Sequence, residues 1–450
     1  NLAVKILDSL FNGVFRPLYI TFNIGFQLYS NPIRDFARTR RNVYALIQNE
    51  GYTGTVKSLM MAYFDSLSPA AKRSMDIPDA LISEMIANKS LDRTFTDFSF
   101  DPDADQYSAV MRKMGVEPPQ QNGLLDKLSK TKVLYPLAQL LEGIRFIGNT
   151  HETASKIAGY KVLKADQLKT LDKAIVEEKD EIKKKFLTEQ RDLLENGEGE
   201  YAHRLAYNTR NYVGTPNWRR RGTISHITNT IFPFSNIMVQ GMRSDLEIAT
   251  RPETRTGFMF DMVLTQVLPK LLMFMAAMGG AGDDAEEFFR KVSEYDKSNY
   301  MVIPIGWSDD GKGGRKAVYW RVPHDESGRL IAAVAWRMMN AMRGDPKALQ
   351  QIVDFGAGQL PKLAPPITIG ATWLAYLSGK NPYDSFRGRP LMPDKVHQAG
   401  GRYALTSMVK WTANQFGLAS FATHDPSGKS GVESMMEVTP LLNRIINISA

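Results

Sequence analysis

The chain has 450 residues, 43% of them hydrophobic and 23% charged, which allows more than one packed core and argues against wholesale disorder. A net charge of +8 suits contact with phosphate or anionic lipid without requiring either. The lack of cysteine excludes disulfides, thiolate metal sites and cysteine nucleophiles.

Residues 10–29 carry one charge, Arg16, among many Phe, Ile, Leu and Tyr, and then meet Asn31-Pro32 and a run of Arg34, Arg38, Arg40 and Arg41. Apolar length followed by arginine is the layout of a membrane-associated segment. Phe11, Phe15, Phe22 and Phe26 are its candidate contacts with lipid or a neighbouring subunit. Pro17, Asn23 and Gln27 dilute the segment, so a buried core helix also fits. The chain starts at Asn1 without a recognisable signal peptide, which leads us to expect a processed product or part of a longer protein.

From 43 to 88 the pattern is helical, with breaks expected at Gly51-Tyr52-Thr53-Gly54 and Ser68-Pro69. Residues 95–122 hold Asp101-Pro102-Asp103 and Pro118-Pro119-Gln120-Gln121 and read as irregular. A long helix is predicted over 134–163, with Glu142, Arg145, Asn149, Glu152 and Lys156 stacked on one face. Residues 165–195 are mostly charged, with Leu168, Leu171, Ile175 and Ile182 as a thin apolar side, and read as a solvated helical arm or helix pair. Asn196-Gly197-Glu198-Gly199 ends it.

Composition changes at 201–257, rich in Asn, Thr, Arg and aromatics. A second apolar segment, 262–282, is dense in Met, holds Lys270 as its only charge and has Pro269 near its middle. Its length allows a membrane or interfacial helix, and its methionines equally suit an adaptable core. Phe258, Leu264, Leu271 and Phe274 are its candidate contacts with lipid or an adjoining subunit.

One β signal is clear: residues 300–305 and 317–322 flank the turn-forming run Asp309-Asp310-Gly311-Lys312-Gly313-Gly314. Apolar helices over 330–342 and 363–377 precede a Gly- and Pro-punctuated tail. The fold class expected is mainly α, an elongated multi-helix assembly with one small β-hairpin near 300–322. Four regions are drawn, at 1–125, 126–200, 201–325 and 326–450.

Four motifs come close to carrying chemistry. Residues 306–313 match a P-loop until Gly313, where Ser or Thr is needed for Mg²⁺, and they lead into a strand instead of a helix N-terminus. Gly428-Lys429-Ser430 has a P-loop ending, but Thr423 replaces the opening glycine. Asp101 to Asp105 begins like a calcium loop, but Gln106 replaces the turn glycine and Arg112 the bidentate glutamate. His151-Glu152 begins like a zinc-protease helix, with Ser155 where the second ligand belongs. We therefore expect no catalytic site, metal or cofactor. An enzyme whose site assembles from distant residues is the alternative that sequence reading leaves open.

Arginines and aromatics interleave from Tyr207 through Arg210 and Tyr212 to Trp218, Arg219, Arg220 and Arg221. Arginine holds phosphates bidentately while Tyr and Trp stack on bases, so nucleic acid, lipid headgroups and a protein contact all suit this stretch. The run from Asn211 through Trp218-Arg219-Arg220-Arg221-Gly222, Phe232-Pro233-Phe234-Ser235-Asn236 and Gln240-Gly241-Met242-Arg243 resembles a region of very large tailed-phage polyvalent and internal virion proteins. The likeness continues through the Met-rich helix and the hairpin, covering roughly 200–325, with a weaker trace around Glu142–Glu152.

The resemblance implies a non-enzymatic virion protein ejected with the genome. It would form, with further copies or with other ejection proteins, a conduit in the host periplasm or inner membrane. Its partners would be phage DNA, held without sequence readout, and the host membrane. Arg38, Arg40, Arg41, Arg210, Arg219, Arg220 and Arg221 would then face DNA or headgroups. A non-catalytic module of a giant virion RNA polymerase or polyvalent protein is the rival reading.

Overall fold

In a computed structural model, residues 26–91, 135–217, 220, 235–309, 314–344, 365–384, 389–415 and 446–448 are described. They fold mainly into α-helices around a small antiparallel hairpin, as the hydrophobic periodicity predicts.

Helix α1 (Asn31–Leu46) is entered through a π-helical turn, Phe26–Ser30. Helix α2 (Tyr52–Ser74) takes Gly51 as its N-cap and passes through Pro69 unbroken. The break expected at Ser68-Pro69 is therefore absent. The carbonyl that loses its partner to Pro69 belongs to Asp65, an exposed position open to solvent, which lowers the cost of the lost bond.

A short helix, α3 (Ala80–Ala87), is capped by Asp79, whose carboxylate accepts from Leu81 N at 3.1 Å. Helix α4 (Tyr135–Glu177) has 43 residues and runs on well past the end expected near 163. The chain reverses only at 178–180, where Asp180 caps α5 (Glu181–Glu195) by accepting from Ile182 N at 2.9 Å. That helix ends at Gly197, whose positive φ of 78° closes the last turn.

Helix α6 (Gly199–Tyr212) and helix α7 (Ser235–Thr250) lead to α8 (Pro252–Ala277). A π turn at Val263–Val267 interrupts α8 just before Pro269. Pro32 stands at the same offset from the first π turn. In both helices the ring and missing N–H of proline disrupt the preceding ladder, and the wider turn absorbs the misfit.

Helices α9 (Asp283–Lys291) and α10 (Glu294–Asn299) precede β1 (Tyr300–Asp309), which pairs with β2 (Arg315–Pro323). The register runs from Tyr300↔Pro323 to Asp309↔Arg315, with a bulge between Pro304 and Gly306. A third strand unforeseen from the sequence, β5 (Ile446–Ile448), adds to β2. Helices α11 (Glu326–Met342), α12 (Pro365–Leu377), α13 (Asp394–Ala399) and α14 (Gly401–Gln415) follow the hairpin, with strands β3 (Tyr383–Asp384) and β4 (Arg389–Pro390) between α12 and α13.

The largest core packs α1, α2 and α3 onto α4, α5 and α6 through Val43, Leu59, Met85, Ile157, Leu194 and Leu205. A second gathers Met273, Phe288, Val302, Tyr319 and Trp336 around the hairpin. Between them Ala45, Tyr212, Ile248, Phe258 and Met262 join α1, α6, α7 and α8. At that crossing a Cβ on Gly257 would stand 2.9 Å from the Cα of Ala45, so the two helices meet backbone to backbone. These cores cut across the expected divisions at 125, 200 and 325.

Candidate functional site

The arginine run on α1 defines the interior. Steps of four and three residues separate Arg34, Arg38 and Arg41, so these side chains project from one side of the helix toward α6, α7 and the start of α11. Arg38 donates through Nη1 to the Gly214 carbonyl at 2.8 Å and through Nη2 to the Asn211 carbonyl at 3.1 Å, and it also reaches the Ser244 hydroxyl. Arg41 bridges Asp245 at 2.7 Å and Asp325 at 2.6 Å, with Phe258 under its guanidinium. Arg40 turns to α8 and holds Asp261 bidentately at 2.8 and 3.1 Å. Arg34 pairs with Glu326.

Asp325 is also the N-cap of α11, accepting from Gly328 N at 3.2 Å, and this single carboxylate therefore ties the start of α11 to α1. Burial pushes its acid form upward, but Arg41, by charge and hydrogen bond, together with Arg38 and Arg34 holds the carboxyl below its usual range. Asp35 goes the other way: burial raises it to about 6, against a hydrogen bond from Thr215 and the charges of Arg34, Lys156 and Arg38.

The expectation that Arg38, Arg40 and Arg41 face DNA or headgroups is thus corrected. Arg38 and Arg41 are buried, Arg40 is half-buried, and all three are spent on carboxylates of the same chain. Desolvating a guanidinium demands such a partner, and Asp245, Asp261 and Asp325 supply it. Arg220 donates to Glu247 at 3.2 and 3.3 Å, and Glu247 also receives Arg243 and Tyr212. Arg210 is half-buried on α6, while Arg219 and Arg221 lie outside the described residues. The acidic partners were missed in the sequence, although a lone Asp261 within an apolar stretch was a usable signal.

Beyond its first turns, where Glu253, Arg255 and Thr256 are exposed, helix α8 has its polar groups turned inward. Thr254, Asp261, Gln266 and Lys270 are buried along with Phe258 and Met273. Met259, Phe260, Val263, Leu271, Leu272 and Met275 are exposed, Leu272 by 58%. The one charge of the apolar segment, Lys270, donates to the carbonyls of Lys297 and Tyr300, where α10 runs into β1. This order reverses that of a water-facing amphipathic helix. Among the described residues α8 is the helix long and apolar enough to cross a membrane, and 33% of its apolar window is buried.

Two more helices bury some polar side chains and expose some apolar ones, while still burying Leu59 and Ile248 and exposing Lys57, Asp65 and Arg243. Helix α7 buries Gln240, Ser244 and Asp245 and exposes Val239, Met242 and Leu246. Helix α2 buries Thr55 and Ser66 and exposes Met60, Met61 and Phe64. On α4, the predicted polar face also turns inward from Asn149 onward, with Glu152 and Lys156 buried.

Of the apolar contacts expected on α8, Leu271 alone is exposed. Phe258 is buried under Arg41, Phe274 packs edge-on against Trp336 at 5.9 Å, and Leu264 is half-buried. Phe258 is therefore corrected from a surface contact to a core residue, because the helix phase that exposes Leu271 turns it inward. Phe26 belongs to the first π turn, and Phe11, Phe15 and Phe22 lie outside the described residues.

The near-motifs settle into structural roles where they are described. His151 Nδ1 lies 2.6 Å from the Tyr63 hydroxyl, tying α4 to α2, and Gly306 to Asp309 belong to β1. The segments 101–112 and 423–430 lie outside the described residues. Among the described residues, no group of three His, Asp or Glu side chains is placed to hold a metal ion. The chain matches no family model, no curated protein and no solved structure.

Proposed function

We propose that this chain is a non-catalytic internal virion protein of a tailed phage, released with the genome and assembling in the host envelope as part of a conduit for DNA. The observation that carries the envelope part of this reading is the inverted face of α8. A chain that puts Asp261, Gln266 and Lys270 inside and Phe260, Val263, Leu271 and Leu272 outside is adapted to an apolar neighbour, either lipid or another subunit. The phage assignment rests on the resemblance over 200–325. Direct DNA contact passes to Arg219 and Arg221, since the arginines of α1 are occupied.

Burial of Arg38, Arg40 and Arg41 favours one second reading, a packing module of a larger virion protein without DNA contact. Mass spectrometry of purified particles before and after triggered genome release separates the two. Loss of the chain from emptied particles supports ejection. Retention supports a fixed virion module, and absence from full particles removes the phage reading altogether.

A further inference from the structure

The exposed apolar residues of α8 form one stripe, because the helix widens where their spacing would otherwise break it. Phe260, Val263, Leu268, Leu271, Met275 and Met278 follow one another at steps of three or four residues, except for a step of five from Val263 to Leu268. That step spans the π turn Val263–Val267, which inserts one residue, so five residues there do the work of four. From Phe260 to Met278 the stripe runs about 27 Å. Asp261 and Lys270, the charges within this stretch, are both buried. With Met259 and Leu272, the exposed side chains offer an area comparable to the ~800 Å² that a stable contact buries on each partner.

The stripe is also symmetric about Pro269. Phe260 and Met278 lie nine residues from it on either side, and Val263 and Met275 lie six. Its two ends carry exposed charges of opposite sign: Arg255 just before the stripe, and Asp283 past the Gly279–Gly282 turn that follows it. Glu253 stands two residues farther from the stripe than Arg255. Other acids at the Asp283 end are answered within the chain, Glu286 by Arg290, and Asp284 and Glu287 by Arg315. An apolar centre with a charged rim is the anatomy of a protein interface.

We propose that α8 pairs with α8 of a second copy of this chain, antiparallel about a two-fold axis near Pro269. Such an axis lays Phe260 against Met278 of the partner subunit and Val263 against Met275 of the partner subunit. It also brings the basic end of each stripe to the acidic end of the other, Arg255 to Asp283, twice. A bilayer serves this face less well. Anionic headgroups repel Asp283, and hydrocarbon broad enough to cover α8 also meets Arg243, exposed on the adjoining α7. The pairing rests on the proposed reading of the outer face of α8 as an assembly surface, and it is independent of the phage assignment.

The chain lacks cysteine, so single cysteines report position without background. Full-length Leu268→Cys, Met259→Cys and Met278→Cys, each with the parent's circular dichroism spectrum, are treated with a bismaleimide too short to span the stripe. Leu268→Cys should cross-link to itself. Met259→Cys and Met278→Cys should each stay uncross-linked alone and cross-link when mixed. Sedimentation equilibrium of the parent should give twice the chain mass. Arg255→Asp should weaken that dimer about ten-fold, and Asp283→Arg in the same chain should restore it. Self-cross-linking of Met259→Cys or Met278→Cys, or a mixture that does not cross-link, overturns the antiparallel arrangement. A double charge variant no tighter than Arg255→Asp alone does the same. A parent that is monomeric at every concentration yet floats with anionic phospholipid vesicles overturns the pairing and leaves the envelope contact of α8 standing. A monomer that does not float overturns both.

Discussion

Arg41 has less than a fiftieth of its surface exposed and bonds two carboxylates from different helices, so its removal strands both Asp245 and Asp325 in the interior. Breaking a buried pair from one side costs about 3–5 kcal/mol, and Arg41→Met should lower the stability read from urea denaturation by that amount. DNA retention by any Arg41 variant that still folds should be unchanged, because the side chain never reaches solvent. Asp35 adds a pH dependence of definite sign. With its carboxyl raised from 3.8 to about 6, the folded state keeps a proton that the unfolded chain releases between those values. The contribution of this group to stability therefore falls as pH rises through that window, by roughly 1–3 kcal/mol. Asp35→Asn keeps an acceptor for Thr215 and should flatten the decline in denaturation midpoints measured from pH 4 to 7.

At the scale of the element, the outward face of α8 contributes little to folding, since Leu271 and Leu272 are exposed by 41% and 58%. Leu271→Glu with Leu272→Glu should change stability by no more than about 0.5 kcal/mol per site. The same pair should abolish co-flotation with anionic phospholipid vesicles or concentration-dependent self-association, whichever the parent chain shows. A double variant that floats and associates like the parent would remove α8 from the proposed envelope contact. The existence of this helix was legible in the sequence from its length and hydropathy, and the clustering of Arg34 to Arg41 was equally plain. The direction in which each side chain points was not. Phe258 and Leu271 are alike in composition and neighbourhood, yet one lies in the core and the other on the surface, because the π turn before Pro269 and the approach of Gly257 to Ala45 set the rotation of the helix. Similarly, Arg38 and Arg40 read as free cations until Asp245 and Asp261, more than 200 residues away in sequence, come to meet them.

At the scale of the whole molecule, polar contacts between distant segments do much of the joining. Asp166 accepts from the backbone of Asn49 at 2.9 Å, Tyr160 reaches Glu84 and Asn88, and Arg41 links α1 to α7 and α11. The expected region boundary at 125 therefore crosses a packed interface. A chain split between 91 and 135 and co-expressed as two pieces should elute as one species on size-exclusion chromatography, with Leu59, Met85 and Ile157 in a shared core. Separate elution of the folded pieces would show that this core is not what holds them together.

Composition and periodicity alone determined that the chain is helical, that a hairpin lies near 300–322, that disulfides are impossible and that apolar segments approach membrane length, since each of these depends only on residues close together in sequence. Tertiary structure decided which faces are buried and which carboxylate neutralises which arginine. Those outcomes depend on helix phase and on partners far along the chain, and a charge or a proline carries no mark in sequence of the group that will be packed against it.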